Sequence, residues 1–256
     1  MRIHAVVIGI DKYRDPAIND LSFARRDAET ISAMLRNSSF AESIRITELF
    51  DGRATRVNIM HAIGVDLPRE STPQDVIIVY FAGHGSPELE RSAAEIASRY
   101  LICHDSRYDS LLSTSIDVEL DLARLAARLP AALVVFVTDA CFSGFSGGRG
   151  IIGPVLAARR RENRMAVRLP ELRLGAGTVF LGAAADDEVA WEDSSLRHGV
   201  FTHFLHSELT SVNGGQRIGL STLYDLVYEG VSTFSLTRQN PVMHGTVKGA
   251  YLPIFR

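Results

Sequence analysis

Cysteine is nearly absent from this chain: Cys103 and Cys141 are the only two among 256 residues. A multi-bridge disulfide framework is excluded, although one bridge is not. Such sparse use of cysteine suits a reducing compartment. Tryptophan occurs once, at Trp191. Positive charge is not in excess, because 27 Lys and Arg face 30 Asp and Glu, for a net charge of −3. Nucleic-acid binding therefore has no electrostatic basis. Long apolar runs are missing too. The run from Ala5 to Ile10 stops at Asp11 and Lys12, too short for a secretory leader, and no stretch reaches transmembrane length. A soluble, cytoplasmic protein without a membrane or nucleic-acid partner is expected.

What is present is an alternation of short apolar runs with helix-period segments. Strands are expected at Ile3–Ile10, Ile44–Phe50, Val76–Phe81, Tyr100–Ile102, Leu133–Val137 and Val179–Gly182, with a final edge strand over Val247–Ile254. Leu21, Ala24, Ala28, Ile31 and Leu35 recur at helical spacing. Helices are also expected at Val57–Val65, Val118–Leu129, Phe201–Leu209 and Leu220–Phe234, with Pro130 closing the second of these. This order predicts an α/β fold, a mostly parallel sheet covered by helices on both faces. Between Gly147 and Gly177 lie six glycines, two prolines and seven arginines, including Arg159-Arg160-Arg161. That composition predicts a long exposed loop with a helical turn near Val155–Arg161.

Sites in such sheets lie beyond the carboxyl ends of the strands. Two ends carry reactive residues: Phe81-Ala82-Gly83-His84-Gly85 and Thr138-Asp139-Ala140-Cys141-Phe142-Ser143-Gly144. A cysteine attacks carbonyls well only as the thiolate, so it needs a base or a positive field nearby. His84 supplies one if its strand neighbours that of Cys141. The backbone amides of Gly85 and Cys141 are placed to stabilise a developing oxyanion. Alone, a histidine after a strand is usually a loop residue and a cysteine there is usually packing. Both at matched strand ends, 57 positions apart, point instead to a nucleophile and its base.

These two motifs resemble those of the caspase and metacaspase superfamily. Val7-Ile8-Gly9-Ile10, Leu21 to Ala28, Ala190-Trp191-Glu192 and Gly199-Val200-Phe201-Thr202 extend the resemblance over nearly the whole chain. It implies a three-layer sandwich with about six strands in one peptidase domain. Residues 1–146 would be large-subunit-like, 147–177 the exposed loop, and 178–256 small-subunit-like. It also implies a cysteine endopeptidase with protein substrates, and no cofactor. An upstream activating protease or sensor would be a further partner. Relatives that cut after aspartate line the first specificity pocket with arginines and a glutamine. Asp27, Asp139 and Glu192 fall at those positions here, which inverts the charge and favours arginine, then lysine. The resemblance places Trp191 beside the second pocket, although plain core packing is an equal reading of it. Cleavage at Arg159, Arg160 or Arg161 by the enzyme itself, or by another protease, would activate it.

Metacaspases often hold calcium on clustered aspartates. Asp105, Asp109 and Asp117 are too spread to resemble that site, so no metal is expected. Cys103 has no partner motif and reads as a small buried hydrophobe. Two rival readings stand. One is an inactive scaffold of the same fold. The other is a serine hydrolase through Ser146, within Gly144-Phe145-Ser146-Gly147-Gly148, followed by Asp186 or Asp187 and by His198, His203 or His206. Against the second, Asp139 to Ser143 separate the motif from its strand.

Overall fold

The computed structural model describes residues 2–37, 41–89, 97–143, 148–154, 177–211, 218–245 and 251–252. The strands, in chain order, begin with β1 (Arg2–Gly9), β2 (Ser43–Phe50) and β3 (Val76–Ala82). Next come β4 (Gly85–Leu89), β5 (Ala97–Leu101), β6 (Ile116–Asp117), β7 (Leu133–Asp139) and β8 (Thr178–Gly182). The last are β9 (Glu192–Asp193), β10 (His198–Gly199), β11 (Ile218–Gly219), β12 (Val242–Gly245) and β13 (Tyr251–Leu252). Six of them form the central sheet in the order β12-β8-β7-β3-β1-β2. Its pairings are parallel except for β12 against β8.

Alternate residues of β1 serve two cores, as a pleated strand requires. Ile3, Ala5 and Val7 face α1 (Ala24–Arg36), α6 (Val200–Ser211) and α7 (Leu220–Phe234). Val6 and Ile8 face α2 (Arg56–His61), α3 (Leu67–Glu70) and α5 (Ala123–Ala126). A short α4 (Leu111–Thr114) precedes β6. The sheet is thus covered on both faces, which is why every residue of β7 is buried. Gly9 lets α1 close on β1: a Cβ there would lie 2.5 Å from Ala28 Cβ and 2.9 Å from the Ala24 carbonyl oxygen. Gly9→Ala is expected to cost about 1–3 kcal/mol, as overpacking does. A thermal melt showing an unchanged midpoint would contradict that close approach.

Several expectations need correction in detail. The helix expected at Val57–Val65 runs on through a π-helical turn (Ala62–Asp66) into α3. The one expected at Val118–Leu129 starts as a π-helical turn (Val118–Leu122). Tyr100 belongs to a separate antiparallel sheet, β4-β5-β6, and not to the central one. The edge strand is β12, not Val247–Ile254. Tyr251 and Leu252 instead pair with β11, while residues 246–250 and 253–256 lie outside the described residues. β12 is half-buried and has only Val242 and Met243 as apolar residues, so its hydrophobic signal is weak. The helical turn expected near Val155–Arg161 also lies outside the described residues. Among the described residues, no helix is long and apolar enough to cross a membrane.

Candidate active site

Strand register brings the two reactive ends together. Gly9 pairs with Ala82, and Ala82 pairs with Asp139, so β1, β3 and β7 finish level. His84 and Cys141 each lie two residues past a paired position on adjacent strands. The His84 ring is buried and its Nε2 lies 2.8 Å from the Asn19 carbonyl oxygen. A carbonyl only accepts, so Nε2 carries the proton. Nδ1 keeps its lone pair and has no hydrogen-bond partner among the described residues. Tyr13 braces this arrangement: its hydroxyl accepts from the His84 amide at 2.8 Å, and its ring packs 5.1 Å from the imidazole. Burial pushes the His84 pKa down, and the carbonyls of Asn19 and Arg149 offset this only in part. The ring is therefore neutral near pH 7. Cys141 is fully buried; its thiol donates to the Glu188 carbonyl at 3.1 Å and lies 3.0 Å from Ser143 Oγ. Among the described residues, thiol and imidazole share no direct hydrogen bond.

The amides of Gly85 and Cys141 converge on a single oxygen, the backbone carbonyl of Arg149, at 2.9 and 3.3 Å. The side chain of the same residue fills a pocket whose walls are Asp27, Asp139 and Glu192. One guanidinium nitrogen meets Asp139 Oδ2 at 2.9 Å, and the other meets Asp27 Oδ2 and, at 3.1 Å, Glu192 Oε1. Arg149, Asp27 and Asp139 are all fully buried. Burial works against the guanidinium charge, yet the three carboxylates hold its pKa well above the ordinary range.

Each wall is itself anchored. Asp27 accepts from the Gly199 amide at 2.9 Å and sits 2.5 Å from His198 Nδ1. Asp139 accepts from the Thr202 hydroxyl at 2.6 Å and its amide at 3.2 Å. Glu192 receives the amides of Ser22 and Phe23, both at 3.0 Å. Burial, with Asp27 adjacent, raises the Asp139 pKa to about 6 against the opposing pull of Arg149.

This overturns one expectation directly. The start of the stretch 147–177 is not an exposed loop: Arg149, Gly150 and Ile151 are buried. Three carboxylates draw the arginine in, whereas composition alone counts it with the solvated cations. Arg159, Arg160 and Arg161 lie outside the described residues, as does Ser146 of the serine-hydrolase reading. Two other members of that reading are engaged elsewhere, Asp186 with Arg99 and His198 with Asp27. Trp191 is not core packing. It is 43% exposed and lines a cleft with Asp193, Phe234 and Arg238. Cys103 is a fully buried core residue whose pKa burial pushes up. Asp105 accepts from the Arg56 amide at the start of α2, Asp117 caps the Val118–Leu122 turn, and Asp109 pairs with Arg107. Asn19 and Tyr13 were not singled out from the sequence, and Gly199 and Thr202 were read only as part of a family motif, with no role in the site. A Cβ on Gly199 would lie 2.5 Å from Asp139 Oδ2 and 2.8 Å from an Arg149 guanidinium nitrogen, so this glycine is the pocket floor.

The family profile described as the caspase domain matches residues 2–251. The chain belongs to the caspase family of cysteine peptidase domains. Its fold is similar to that of protein GSU0716 from Geobacter sulfurreducens, at 18% identity and a TM-score of 0.72, covering 98% of this chain and 95% of that one. It is also similar to caspase-1 from Spodoptera frugiperda, at 14% identity and a TM-score of 0.62, covering 98% and 88% respectively. No curated protein sequence matches it.

Proposed function

We propose that this protein is a cysteine endopeptidase that cuts proteins after arginine, and less readily after lysine. One observation carries the reading: a buried guanidinium on three carboxylates, with its own carbonyl on the Gly85 and Cys141 amides. Cys141 is the nucleophile. It attacks the carbonyl carbon, and the two amides hold the oxyanion. His84 takes the thiol proton and passes it to the leaving amine through Nδ1, while the Asn19 carbonyl fixes the ring. Water then releases the acyl group. In the two-part arrangement, residues 1–146 supply Asp27, His84, Asp139 and Cys141, and residues 178–256 supply Glu192, Gly199 and Trp191. Arginine outranks lysine because its planar fork reaches separate carboxylates together, whereas an ammonium is a single point charge. Fluorogenic peptides that differ only in the residue before the cut test the assignment. Turnover is expected after arginine and lysine. Efficient turnover after aspartate would refute the acidic pocket, and no turnover after any residue would favour the scaffold.

The pH profile separates the pocket from the base. A carboxyl with a raised pKa is protonated at lower pH, and neutral Asp139 cannot offset a guanidinium. Burial, with Asp27 adjacent, holds the Asp139 pKa up at about 6 even against the pull of Arg149. kcat/KM reports the free enzyme and should therefore rise with pH through that region for arginine peptides. Asp139→Asn is expected to remove this group's share of the limb and leave only that of the His84 ring. The limb's persistence unchanged in the variant would assign it to another group.

A further inference from the structure

Alternation along the chain brings Ser143 to the side of Cys141. Ala140 and Phe142 pack into one core and Cys141 into the other, so the residue after Phe142 returns to the side of the sulfur. Ser143 is buried, and its Oγ lies 3.0 Å from Cys141 Sγ. Among the described residues, the sulfur has one other polar contact, the Glu188 carbonyl at 3.1 Å. A thiol carries one proton, and a carbonyl only accepts. The thiol proton therefore lies towards Glu188. Both contacts are hydrogen bonds together only if the Ser143 hydroxyl donates to the sulfur.

We propose that Ser143 is a further catalytic residue, whose hydroxyl donates to the Cys141 sulfur and holds it as the thiolate once His84 has taken its proton. The proposal rests on the cysteine-endopeptidase reading and adds the group that sustains its nucleophile. A buried anion needs donors around it, and a hydrogen bond to an ionised partner is the stronger kind. The neighbouring groups do not supply one. The Glu188 carbonyl can only repel a thiolate, and the Glu188 carboxylate is turned onto the amide and side-chain nitrogens of Asn240, both at 2.5 Å. The Gly85 and Cys141 amides are taken by a carbonyl oxygen, and Asp139 faces the guanidinium. Burial weakens His84 as a base, so the proton transfer needs stabilisation from the sulfur side as well. In that transfer the S–H bond breaks, the proton passes to His84 Nδ1, and the electron pair stays on sulfur against the hydroxyl. Sulfur then bonds to the carbonyl carbon. Ser143 keeps its own proton and forms no bond to substrate. When water opens the thioester, the pair returns to sulfur, and the same hydroxyl stabilises the leaving thiolate. Acylation and deacylation both gain. A serine present only to turn the chain towards Gly144 would aid neither.

Wild type, Ser143→Ala and Ser143→Thr are alkylated with iodoacetamide over a range of pH, and the label on Cys141 is followed by mass. Cys141→Ala measures any labelling of Cys103. The same proteins are assayed on fluorogenic arginine and lysine peptides. Ser143→Ala should be alkylated at least about tenfold more slowly at neutral pH, as loss of a hydrogen bond to a charged group predicts. The two rates should meet at alkaline pH, where base alone ionises both thiols. Its kcat/KM for arginine peptides should fall about 10- to 100-fold, through kcat, with KM and the preference for arginine over lysine kept. Ser143→Thr retains the hydroxyl and should recover most of both losses. Equal alkylation of wild type and Ser143→Ala at every pH would overturn the role of Ser143 and leave the arginine reading standing. So would a deficit that persists undiminished at alkaline pH, since that marks a disturbed site and not a lost donor. Failure of Ser143→Thr to recover, with a thermal melt matching wild type, would overturn it too. Wild type that turns over no peptide, with the alkylation difference intact, would sink the endopeptidase reading and with it any catalytic role, while leaving the contact between hydroxyl and thiolate in place.

Discussion

Cys141→Ala is expected to abolish peptide cleavage, and His84→Ala to reduce it by at least about 10⁴-fold, since removing one member of a catalytic unit costs nearly as much as removing all. The two sit at equivalent positions on adjacent parallel strands, and each is held by backbone carbonyls, Asn19 for the imidazole and Glu188 for the thiol. Alanine at either place deletes chemistry while leaving β3 and β7 paired. The unfolding midpoint of Cys141→Ala should therefore stay within a few degrees of wild type. His84 adds a sharper check. Its ring is a neutral base with Nε2 occupied, so His84→Gln can keep a hydrogen bond to Asn19 but offers no proton acceptor. It should be as inactive as the alanine variant. Activity in His84→Gln close to wild type would show that the ring only fills space. Near-normal turnover by Cys141→Ala would show that another nucleophile acts here, and Ser146 would be the next residue to change.

Strand ends and helical faces were legible because a doubly covered sheet writes itself as unbroken apolar runs. Val76–Phe81 and Leu133–Val137 needed no tertiary knowledge, and the residues that follow them carry the reactive pair. The three acidic walls were legible only through family resemblance, because nothing in composition links Asp27 to Glu192. The Asn19 carbonyl was not legible at all, since backbone atoms carry no residue identity. Arg149 was hidden by its company: two flanking glycines and six further arginines downstream made it look solvated. A lone arginine between glycines, a few residues past a candidate nucleophile beside acidic residues, is the signal that was there to be used. Trp191 stayed ambiguous because an aromatic residue suits a core and a cleft equally well. The glycine-rich sequence between Cys141 and Arg149 gave no hint that Arg149 lies in the site.

Gly199→Ala should cost arginine substrates about 10²–10³-fold in kcat/KM, comparable to breaking a buried ion pair at about 3–5 kcal/mol. The added methyl would stand 2.5 Å from Asp139 Oδ2 and 2.9 Å from Arg149 Cζ, where the guanidinium sits. The Gly199 amide would still donate to Asp27, so the pocket wall keeps its anchor while its floor rises. The loss should fall on KM and kcat together, because a mis-seated arginine also draws its carbonyl off the Gly85 and Cys141 amides. Lysine substrates should lose less, since an ammonium is more compact than a planar fork. The thiol itself lies outside the pocket, so alkylation of Cys141 by a small uncharged reagent should proceed as fast in the variant as in wild type. Slowed alkylation would mean that the methyl disturbs the whole site. Unchanged arginine turnover would mean that the substrate side chain is read elsewhere, and the cleft beside Trp191 and Asp193 would then have to be tested in its place.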